Sequence, residues 1–335
     1  MNTLLQPEKY RGKKVIITGG LGFIGSNLAH RLVKYGAKVL LVDSLIPEYG
    51  GNLFNVNDIE KEVDINIADV RDIHSMRYLI QGQDYLFNLA GQTAHADSMV
   101  DPYTDLEINC RAQLSILETC RHYNPSIKIV FAGTRQIYGV PDYLPVDERH
   151  LLHPTDVNGI NKMAGEWYHI LYNNVYGIRS CSLRLTNTYG PRMRVKDARQ
   201  TFLGIWIKQI ITGEEIKVFG DGKQLRDFNY VEDVVDAFLI SAVSEAAYGQ
   251  VFNLGCDTNI NLTDLAKMLI KINNSGSYST VPFPPERKQI DIGDYYGDYR
   301  KIHSMLGWGP RTALEDGIIH SIEYYKKYGE HYWDD

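Results

Sequence analysis

The chain has 335 residues, of which 44% are hydrophobic and 23% charged, a composition typical of globular proteins. This length exceeds one small core, so we expect one large α/β unit or two interlocking lobes. A formal net charge of -6 provides no basic surface for nucleic acid, and we predict no nucleic-acid partner. The four cysteines lack metal-ligand spacing, so no metal site is expected.

Neither a membrane span nor a signal peptide is predicted. The apolar runs are shorter than the ~18 residues that a spanning helix needs. The N-terminal MNTLLQPEKYRGKK also lacks the apolar stretch of a signal peptide. We therefore expect a cytoplasmic protein without a membrane partner.

The first half of the chain alternates short β-rich runs with helical patterns. The runs are KKVIIT, IGSNLAHRLVKYG, AKVLLVD, VDINIAD, DYLFNLA, the single helix LEINCRAQLSILETCRHY, and SIKIVFAG. This alternation predicts an α/β fold with a Rossmann-type doubly wound parallel sheet. The second half, with strand patterns at SCSLRLT, IKVFG and VFNLG, predicts a smaller C-terminal α/β substrate-binding lobe. We place the first domain at 1–186 with returning segments near 224–254, and the lobe mainly at 187–335.

The segment TGGLGFIG follows the first strand and opens the next helix. Gly19, Gly22 and Gly25 permit a tight turn, let the backbone approach a pyrophosphate, and bring the helix close to the strand. The N-terminus of a helix that begins near Phe23 and Ile24 then faces the negative charge. The segment therefore predicts a dinucleotide site.

The ends of the next strands add candidate cofactor contacts. Asp43 ends the second strand, 18 residues after Gly25, where a carboxylate accepts hydrogen bonds from the adenosine ribose. No arginine follows Asp43 to hold a 2′-phosphate, so NAD is favoured over NADP. Asp69 is expected either to contact the adenine amine or to cap a helix. Val70 and Ala90 are assigned to the same cofactor site.

Seven segments together resemble one family. They are TGGLGFIGS, NLAGQTAHADS, FAGTRQIYG, NGINKMAGE, LRLTNTYGPR, FGDGKQLRDFNYVEDVVDA and LGWGP. In this order and spacing they resemble the extended short-chain dehydrogenase/reductase family of nucleotide-sugar epimerases and dehydratases, including the UDP-glucose 4-epimerases. The resemblance covers about residues 13–310. It implies NAD as cofactor, a nucleotide-diphosphate sugar as substrate, and oxidation at the sugar C4.

The resemblance also implies roles for single residues. In this family a tyrosine takes the C4 hydroxyl proton, a Ser or Thr bonds the same oxygen, and a lysine holds the nicotinamide ribose. Thr134 matches the Ser/Thr position and Lys162 the lysine, but Asn158 stands at the tyrosine position. An amide does not accept a proton near neutral pH, so Asn158 is expected to orient the hydroxyl without serving as its base.

Four groups are candidates for the missing base. His95 is the first, because it is expected in a loop that lines the sugar site and histidine exchanges protons near neutral pH. A loop histidine bonded to backbone is the alternative for this residue. The other candidates are Tyr138, a Lys162 deprotonated by burial, and a relay from Thr134 to water. The sequence leaves the choice open.

The residues after Thr134 bear on the reaction. Related 4,6-dehydratases carry an Asp-Glu pair there, whereas this chain has Arg135 and Gln136, which do not transfer protons near neutral pH. We therefore predict a 4-epimerase. The alternatives are a C4 dehydrogenase or dehydratase, or a catalytically impaired protein that binds NAD and a sugar nucleotide.

The resemblance implies three substrate contacts. Asn187 matches an asparagine that bonds the diphosphate or the sugar, with an Asx turn as the alternative. Arg226 matches an arginine that clamps the diphosphate. Arg287 or Lys288 is a further candidate, with a solvated basic pair as the alternative. The nucleotide base is not predicted.

Two long helical patterns carry apolar residues on more than one face, over Ile108 to Cys120 and Lys162 to Tyr172. In the family such helices pair two subunits, so a homodimer is expected. Trp167, Tyr168 and Leu171 are the candidate anchors, and burial within the same chain is the alternative.

Overall fold

A computed structural model describes residues 5–197, 199 and 201–333 of the chain. The strands are β1 (Lys14–Thr18), β2 (Lys38–Asp43), β3 (Val63–Ile67), β4 (Tyr85–Asn88), β5 (Lys128–Thr134), β6 (Ser180–Leu185), β7 (Asn187–Tyr189), β8 (Ile216–Phe219), β9 (Leu225–Tyr230), β10 (Val251–Asn253), β11 (Asn259–Asn261) and β12 (Tyr278–Val281).

The helices lie between these strands and after them. They are α1 (Phe23–Lys34), α2 (Ile73–Ile80), α3 (His95–Val100), α4 (Pro102–Leu106), α5 (Ala112–Tyr123), α6 (Val157–Tyr176), α7 (Phe202–Thr212), α8 (Val231–Val243), α9 (Leu262–Asn273), α10 (Pro285–Lys288), α11 (Arg300–Leu306), α12 (Leu314–Tyr328) and α13 (Glu330–Trp333). The single helix predicted before β5 is instead α4 and α5, joined by a π-helical turn over Glu107–Arg111.

A seven-stranded parallel sheet forms the larger layer, in the order β10-β6-β5-β4-β1-β2-β3. The chain winds outward from β1 to β3, and then returns to place β4 on the other side of β1. This reversal opens a crevice at the carboxyl ends of β1 and β4, where ligands of such sheets bind. The predicted doubly wound parallel sheet is confirmed.

Helices cover both faces of this sheet because successive side chains of a strand point to opposite faces. Val15 and Ile17 of β1 pack in one cluster with residues of α1 and α8. Ile16, between them, packs in another cluster with residues of α2 and α5. Both faces of the sheet are therefore covered by apolar side chains, and polar ligands can bind only at the ends of the strands.

A smaller lobe stands over those strand ends. It contains the sheet β11-β9-β7 and the pair β12-β8, and its core packs residues of α7, α9 and α12. β10 returns to the large sheet, whereas β9 belongs to the small one. The division of the chain into domains remains a prediction.

No helix among residues 5–197, 199 and 201–333 is long and apolar enough to cross a membrane. The four cysteines are unpaired. Cys120 and Cys181 are buried, and Cys110 and Cys256 are partly exposed.

Candidate active site

A cavity of about 980 Å³ lies between the large sheet and the smaller lobe. Most of the residues assigned above to catalysis, cofactor or substrate line it, although their roles remain predictions. These residues are Gly19, Gly22, Phe23, Ile24, Gly25, Asp43, Asp69, Val70, Ala90, His95, Thr134, Asn158, Lys162, Asn187, Arg226 and Arg287. Positions up to 268 residues apart in the chain, Gly19 and Arg287, are thus brought to one place.

The glycine-rich turn after β1 has no room for side chains. A Cβ at Gly25 would lie 2.2 Å from the carbonyl oxygen of Gly19, and Gly19 has a positive φ of 68°. Gly22 caps α1 without any side-chain hydrogen bond, so the first N–H groups of this helix are left for another acceptor. A bare turn before an uncapped helix start fits the pyrophosphate of NAD.

Two carboxylates follow the strands beside this turn. Asp43 accepts hydrogen bonds from the backbone N–H groups of Leu21 at 3.1 Å and Leu45 at 3.0 Å, and burial raises the pKa of its carboxyl. The side chain of Arg71 holds the pKa of Asp69 below its usual range. Asp69 does not cap α2, because Asp72 accepts the N–H of His74 there. The capping alternative for Asp69 is therefore wrong.

Lys162 projects from α6 into the cavity wall. Its Nζ donates to the carbonyl oxygen of Ala132 at 3.3 Å. A Cβ at Gly91 would lie 2.6 Å from Nζ, so this glycine makes room for the ammonium group. Burial lowers the pKa of Lys162 to about 8, although the charge of Asp105 acts in the opposite direction. The position suits the predicted contact with the nicotinamide ribose.

Asn158 lies one turn before Lys162 and is 2% exposed. Its Nδ2 donates to the backbone oxygen of Gln92 at 2.8 Å and to Oδ2 of Asp105 at 2.9 Å. Both neighbours are acceptors, so the NH₂ group must face them, and Oδ1 is the amide atom left for the cavity. Asn158 can accept a hydrogen bond from a substrate hydroxyl, but it supplies no base.

The predicted loop at His95 is wrong, since His95 is the first residue of α3. The N–H of Ser98 bonds the carbonyl of Ala94 at 3.1 Å, which closes the first helical turn. Ser98 Oγ in turn accepts the backbone N–H of Asn158 at 3.2 Å, so α3 is fixed against α6. His95 therefore stands at the rim of the site on a short helix.

Behind His95 lies the buried carboxylate of Asp156. The Nδ1 of His95 is 2.9 Å from Oδ2 of Asp156, although the angle is not that of a linear hydrogen bond. Asp156 also accepts the N–H of Gly159 at 2.7 Å and the amide of Gln136 at 2.8 Å. Burial acts to raise the pKa of Asp156, but the imidazole, Gly159 and Gln136 outweigh it and the pKa is lowered. Because Nδ1 is buried next to this carboxylate, Nε2 is the ring nitrogen left for the cavity.

Thr134 is the last residue of β5 and also lines the cavity. Its Oγ1 accepts the N–H of Gln136 at 3.2 Å, so the hydroxyl hydrogen stays available to another acceptor. Tyr138, the second candidate base, is fully buried and does not line the cavity. Its hydroxyl bonds Asn253 at 2.7 Å and contacts Arg184. Tyr138 is a structural residue.

The three substrate candidates lie where the smaller lobe closes the cavity. Asn187 donates to the backbone oxygen of Asp227 at 2.9 Å, which fixes its amide. Arg226 donates to the backbone oxygens of Leu225 and Gly293 and pairs with Asp291 at 3.4 Å.

Arg287 is the third substrate candidate, and its Cζ lies 5.6 Å from the centre of the Phe219 ring. Arg287 and its neighbour Lys288 are both exposed, and only Arg287 lines the cavity, so the solvated basic pair remains the alternative to a substrate contact.

Two carboxylates of the site were not predicted. Asp156 precedes a helical pattern and is recognisable in sequence only as a helix cap. Asp105 lies in an unremarkable helical segment, yet it is 1% exposed and accepts from Asn158, Asn161 and Asn109. A local sequence pattern cannot show that Asp156 meets His95 or that Asp105 meets Asn158, because the two residues of each pair come from distant segments.

Among the residues that the structure describes, no group of three or more His, Cys, Asp or Glu side chains is arranged to hold a metal ion.

Comparison with known proteins adds two kinds of relatives. A putative UDP-glucose 4-epimerase of Methanocaldococcus jannaschii is 33% identical over 316 residues, which is 93% of this chain and 98% of that protein. UDP-glucuronic acid decarboxylase 1 of Xenopus tropicalis is 28% identical over 97% of this chain and 74% of its own length. One relative is named as an epimerase and the other as a decarboxylase, so the reaction is not fixed by this likeness.

Solved structures agree with the fold. The UDP-glucose 4-epimerase of Thermotoga maritima with UDP-glucose has a TM-score of 0.84 and 30% identity, over 94% of this chain and 99% of that one. The UDP-glucose 4-epimerase of Thermus thermophilus in complex with NAD has a TM-score of 0.83 and 27% identity, over 93% and 99%.

Residues 15–255 match the family described as the NAD dependent epimerase/dehydratase family. The matched segment holds the glycine-rich turn, Thr134 and Lys162, and it spans more than half of the chain. The resemblance to nucleotide-sugar epimerases and dehydratases and the prediction of NAD are confirmed. The chain belongs to the NAD-dependent epimerase/dehydratase family of enzymes.

Proposed function

We propose that this protein is an NAD-dependent nucleotide-sugar 4-epimerase in which His95 replaces the missing tyrosine base. The observation that carries the proposal is the position of His95 against the buried carboxylate of Asp156, 2.9 Å away, in the same cavity as Thr134 and Asn158. A carboxylate next to a histidine offsets the charge of the imidazolium that forms when the histidine takes a proton.

The cofactor would be held by this chain's own groups. The turn at Gly19, Gly22 and Gly25 and the start of α1 would hold the pyrophosphate of NAD, Asp43 the adenosine ribose, and Lys162 the nicotinamide ribose. NAD supplies a hydride acceptor at the sugar C4, and its reduced form supplies the hydride donor.

The protein's groups manage the proton. Thr134 Oγ1 and Asn158 Oδ1 orient the C4 hydroxyl, and His95 Nε2 takes its proton as C4 is oxidised. The negative charge of Asp156 stabilises the imidazolium that results. When the opposite face of the C4 ketone is reduced, His95 returns the proton to the new hydroxyl, so no net acid or base is consumed.

Substrate binding would place a nucleotide-diphosphate sugar across the cavity. Arg226, Arg287 and Asn187 would hold the diphosphate and the sugar, since a guanidinium matches two phosphate oxygens. Similar proteins are named as UDP-glucose 4-epimerases, which supports a UDP-hexose as the first substrate to test.

Dehydration is disfavoured by Gln136. Its amide is buried against Asp156 and stands where a dehydratase needs a proton-transferring carboxylate. A dehydrogenase differs from an epimerase in releasing the ketone, which leaves reduced cofactor behind.

The test is to incubate the NAD-loaded protein with UDP-, GDP-, CDP- and dTDP-hexoses and to follow NADH absorbance together with NMR of the sugar. We expect the C4 epimer of one substrate, without net NADH. Accumulated NADH with a 4-keto sugar would replace this proposal with a dehydrogenase. Tight nucleotide binding without hydride transfer to any of these sugars would indicate a binding protein.

A further inference from the structure

Arg135 follows Thr134 directly and lines the same cavity. Its guanidinium carbon lies 5.4 Å from the centre of the buried Tyr295 ring. Nε of Arg135 is buried and has no hydrogen-bond partner among the described residues. Burial lowers the pKa of Arg135, and nearby carboxylates only partly oppose this. Among the described residues, this half-buried guanidinium in the cavity wall therefore has no ion-pair partner.

The carboxylates whose charge acts on Arg135 are Asp227 and Asp291, and both are engaged elsewhere. Asp227 accepts the hydroxyl of Thr186 and the N–H of Gly297, the latter at 2.9 Å. Within the described part of the chain, no ion pair joins either of them to Arg135.

Asp291 has partners of its own. It pairs with Arg226 at 3.4 Å and accepts the amide of Gln224 at 2.7 Å. The carboxylate of Asp291 is therefore already paired with the guanidinium of Arg226.

The position of Arg135 distinguishes it from the arginines assigned to the diphosphate. Thr134 marks the sugar C4, and Arg226 marks the diphosphate end. Burial and then the charge of Arg135 lower the pKa of Arg226 to about 10. A diphosphate has Arg226 and Arg287 for its charges. Arg199 and Lys217 also line the cavity, but they pair with Asp97 and Glu215. Arg135 has no ion pair among the described residues, and its place next to Thr134 would put it beside the sugar ring.

We propose that Arg135 is a specificity-determining residue that binds a carboxylate carried by the sugar ring, so that the preferred substrate is a nucleotide-linked hexuronate. This rests on the proposed 4-epimerase function. A guanidinium presents two parallel N–H groups that match the two oxygens of a carboxylate. A neutral hexose leaves the charge of this half-buried guanidinium unpaired, which selects against the hexose.

The test compares the NAD-loaded protein with neutral and acidic sugars of the same nucleotide. Binding of UDP, GDP, CDP and dTDP by calorimetry first identifies the base. The hexose and the hexuronate of that nucleotide, UDP-glucose and UDP-glucuronate if the base is uracil, are then compared. We expect the wild type to favour the hexuronate about tenfold or more, because a hydrogen bond to a charged group contributes about 1.5–3 kcal/mol.

Variants assign the preference to Arg135. Arg135→Met is expected to lose most of the hexuronate-over-hexose ratio, and Arg135→Lys to retain part of it. Arg226→Met is the matched control, because it should weaken both sugars and the free diphosphate by a similar factor and leave the ratio unchanged. Arg135→Gln replaces the Met variant if thermal melting shows that the latter is unfolded.

Failure of the inference is separable from failure of the proposed function. Epimerisation of the hexose with no preference for the hexuronate would overturn the inference alone. A loss in Arg135→Met that is equal for both sugars would also overturn it, because Arg135 would then bind the diphosphate. If no nucleoside diphosphate binds, both proposals fall.

Discussion

Asn158 owes its orientation to its neighbours, and this determines what a substrate meets at that position. The amide nitrogen is held by Gln92 and Asp105, so only Oδ1 is available to a ligand. The neighbouring residues thus hold Asn158 in one orientation by hydrogen bonds. The proton acceptor must come from another element, and His95 with Asp156 supplies it in our proposal.

We expect His95→Gln to lower kcat about 100-fold or more, since general-base catalysis contributes about 10²–10⁴-fold. Binding of the nucleoside diphosphate should persist, because the glutamine keeps the size of the side chain. Steady-state kinetics with calorimetry measures both effects. His74→Gln, on exposed α2, is the control. Unchanged kcat in His95→Gln would remove His95 from the mechanism and leave Lys162 or a Thr134 relay.

Asn158→Tyr restores the side chain usual in the family, yet we expect turnover to fall at least about tenfold. A tyrosine cannot make the hydrogen bonds from Nδ2 of Asn158 to Gln92 and Asp105, each worth about 0.5–3 kcal/mol, and its ring would extend into the cavity that Asn158 lines. Kinetics and thermal unfolding of the purified variant check this. A rise in turnover would show instead that the wild-type protein lacks an effective base.

Lys162 makes stability depend on pH in the absence of NAD. Its folded pKa of about 8 lies below the ordinary lysine pKa of 10.5, so the stability of the folded state is lowered by the full amount below pH 8. As the pH rises from about 8 to 10.5, the unfolded state holds more protons and this penalty disappears. Urea unfolding should show the wild type gaining about 2 kcal/mol between pH 7 and 10 relative to Lys162→Met. Parallel curves for the two proteins would contradict this.

Elements are joined to one another at the site by the carboxylate of Asp105. It belongs to α4, and it accepts amide hydrogens from Asn158 and Asn161 of α6 and from Asn109 of the π-helical turn. The bonds hold α4 against α6 while the chain passes through an irregular helix. The negative charge of Asp105 also acts to raise the pKa of Lys162. The packing of α4 against α6 and the charge balance of the site therefore both depend on Asp105.

Asp105→Asn tests this junction. The new side chain would have an NH₂ group in place of one of the carboxylate oxygens that accept from the three asparagine amides. Buried donors that lose their acceptor cost about 1–3 kcal/mol each. We expect the free energy of unfolding to fall by about 2–4 kcal/mol, measured with urea. Glu107→Gln, an exposed neighbour, should change stability little. Equal stability of the two variants would argue against a structural role for Asp105.

At the scale of the whole molecule, α6 presents an apolar outer stripe. Trp167 is 52% exposed and Leu171 49%, and Ile160 and Val175 lie along the same helix at 50% and 59%. Tyr168 is partly buried in its own chain, so its predicted role as an anchor is shared with the core. A stripe of this kind suits a two-fold interface.

We therefore expect the wild-type protein to sediment as a homodimer and a variant with Trp167→Glu and Leu171→Glu to sediment as a folded monomer. Charges placed in a buried apolar contact oppose association. Tyr78→Glu is the control, because Tyr78 is 80% exposed on α2. Sedimentation velocity at several concentrations decides, and a monomeric wild type would exclude this interface.

The sequence by itself predicted the doubly wound sheet and the glycine-rich turn, and the family resemblance of its motifs predicted the other residues that line the cavity. Strand and helix periodicity, and motif spacing, are local properties that report burial and chain direction. Only the tertiary structure decided the partners: Asp156 behind His95, Asp105 beside Asn158, and the unpaired Arg135. The residues of such a pair lie far apart in the chain, as Asp105 and Asn158 do at a separation of 53 residues. The segment of α3 also proved helical where a loop was predicted. Which side chains meet, and with what charge, depends on how α3, α4 and α6 pack, and no local pattern encodes that packing.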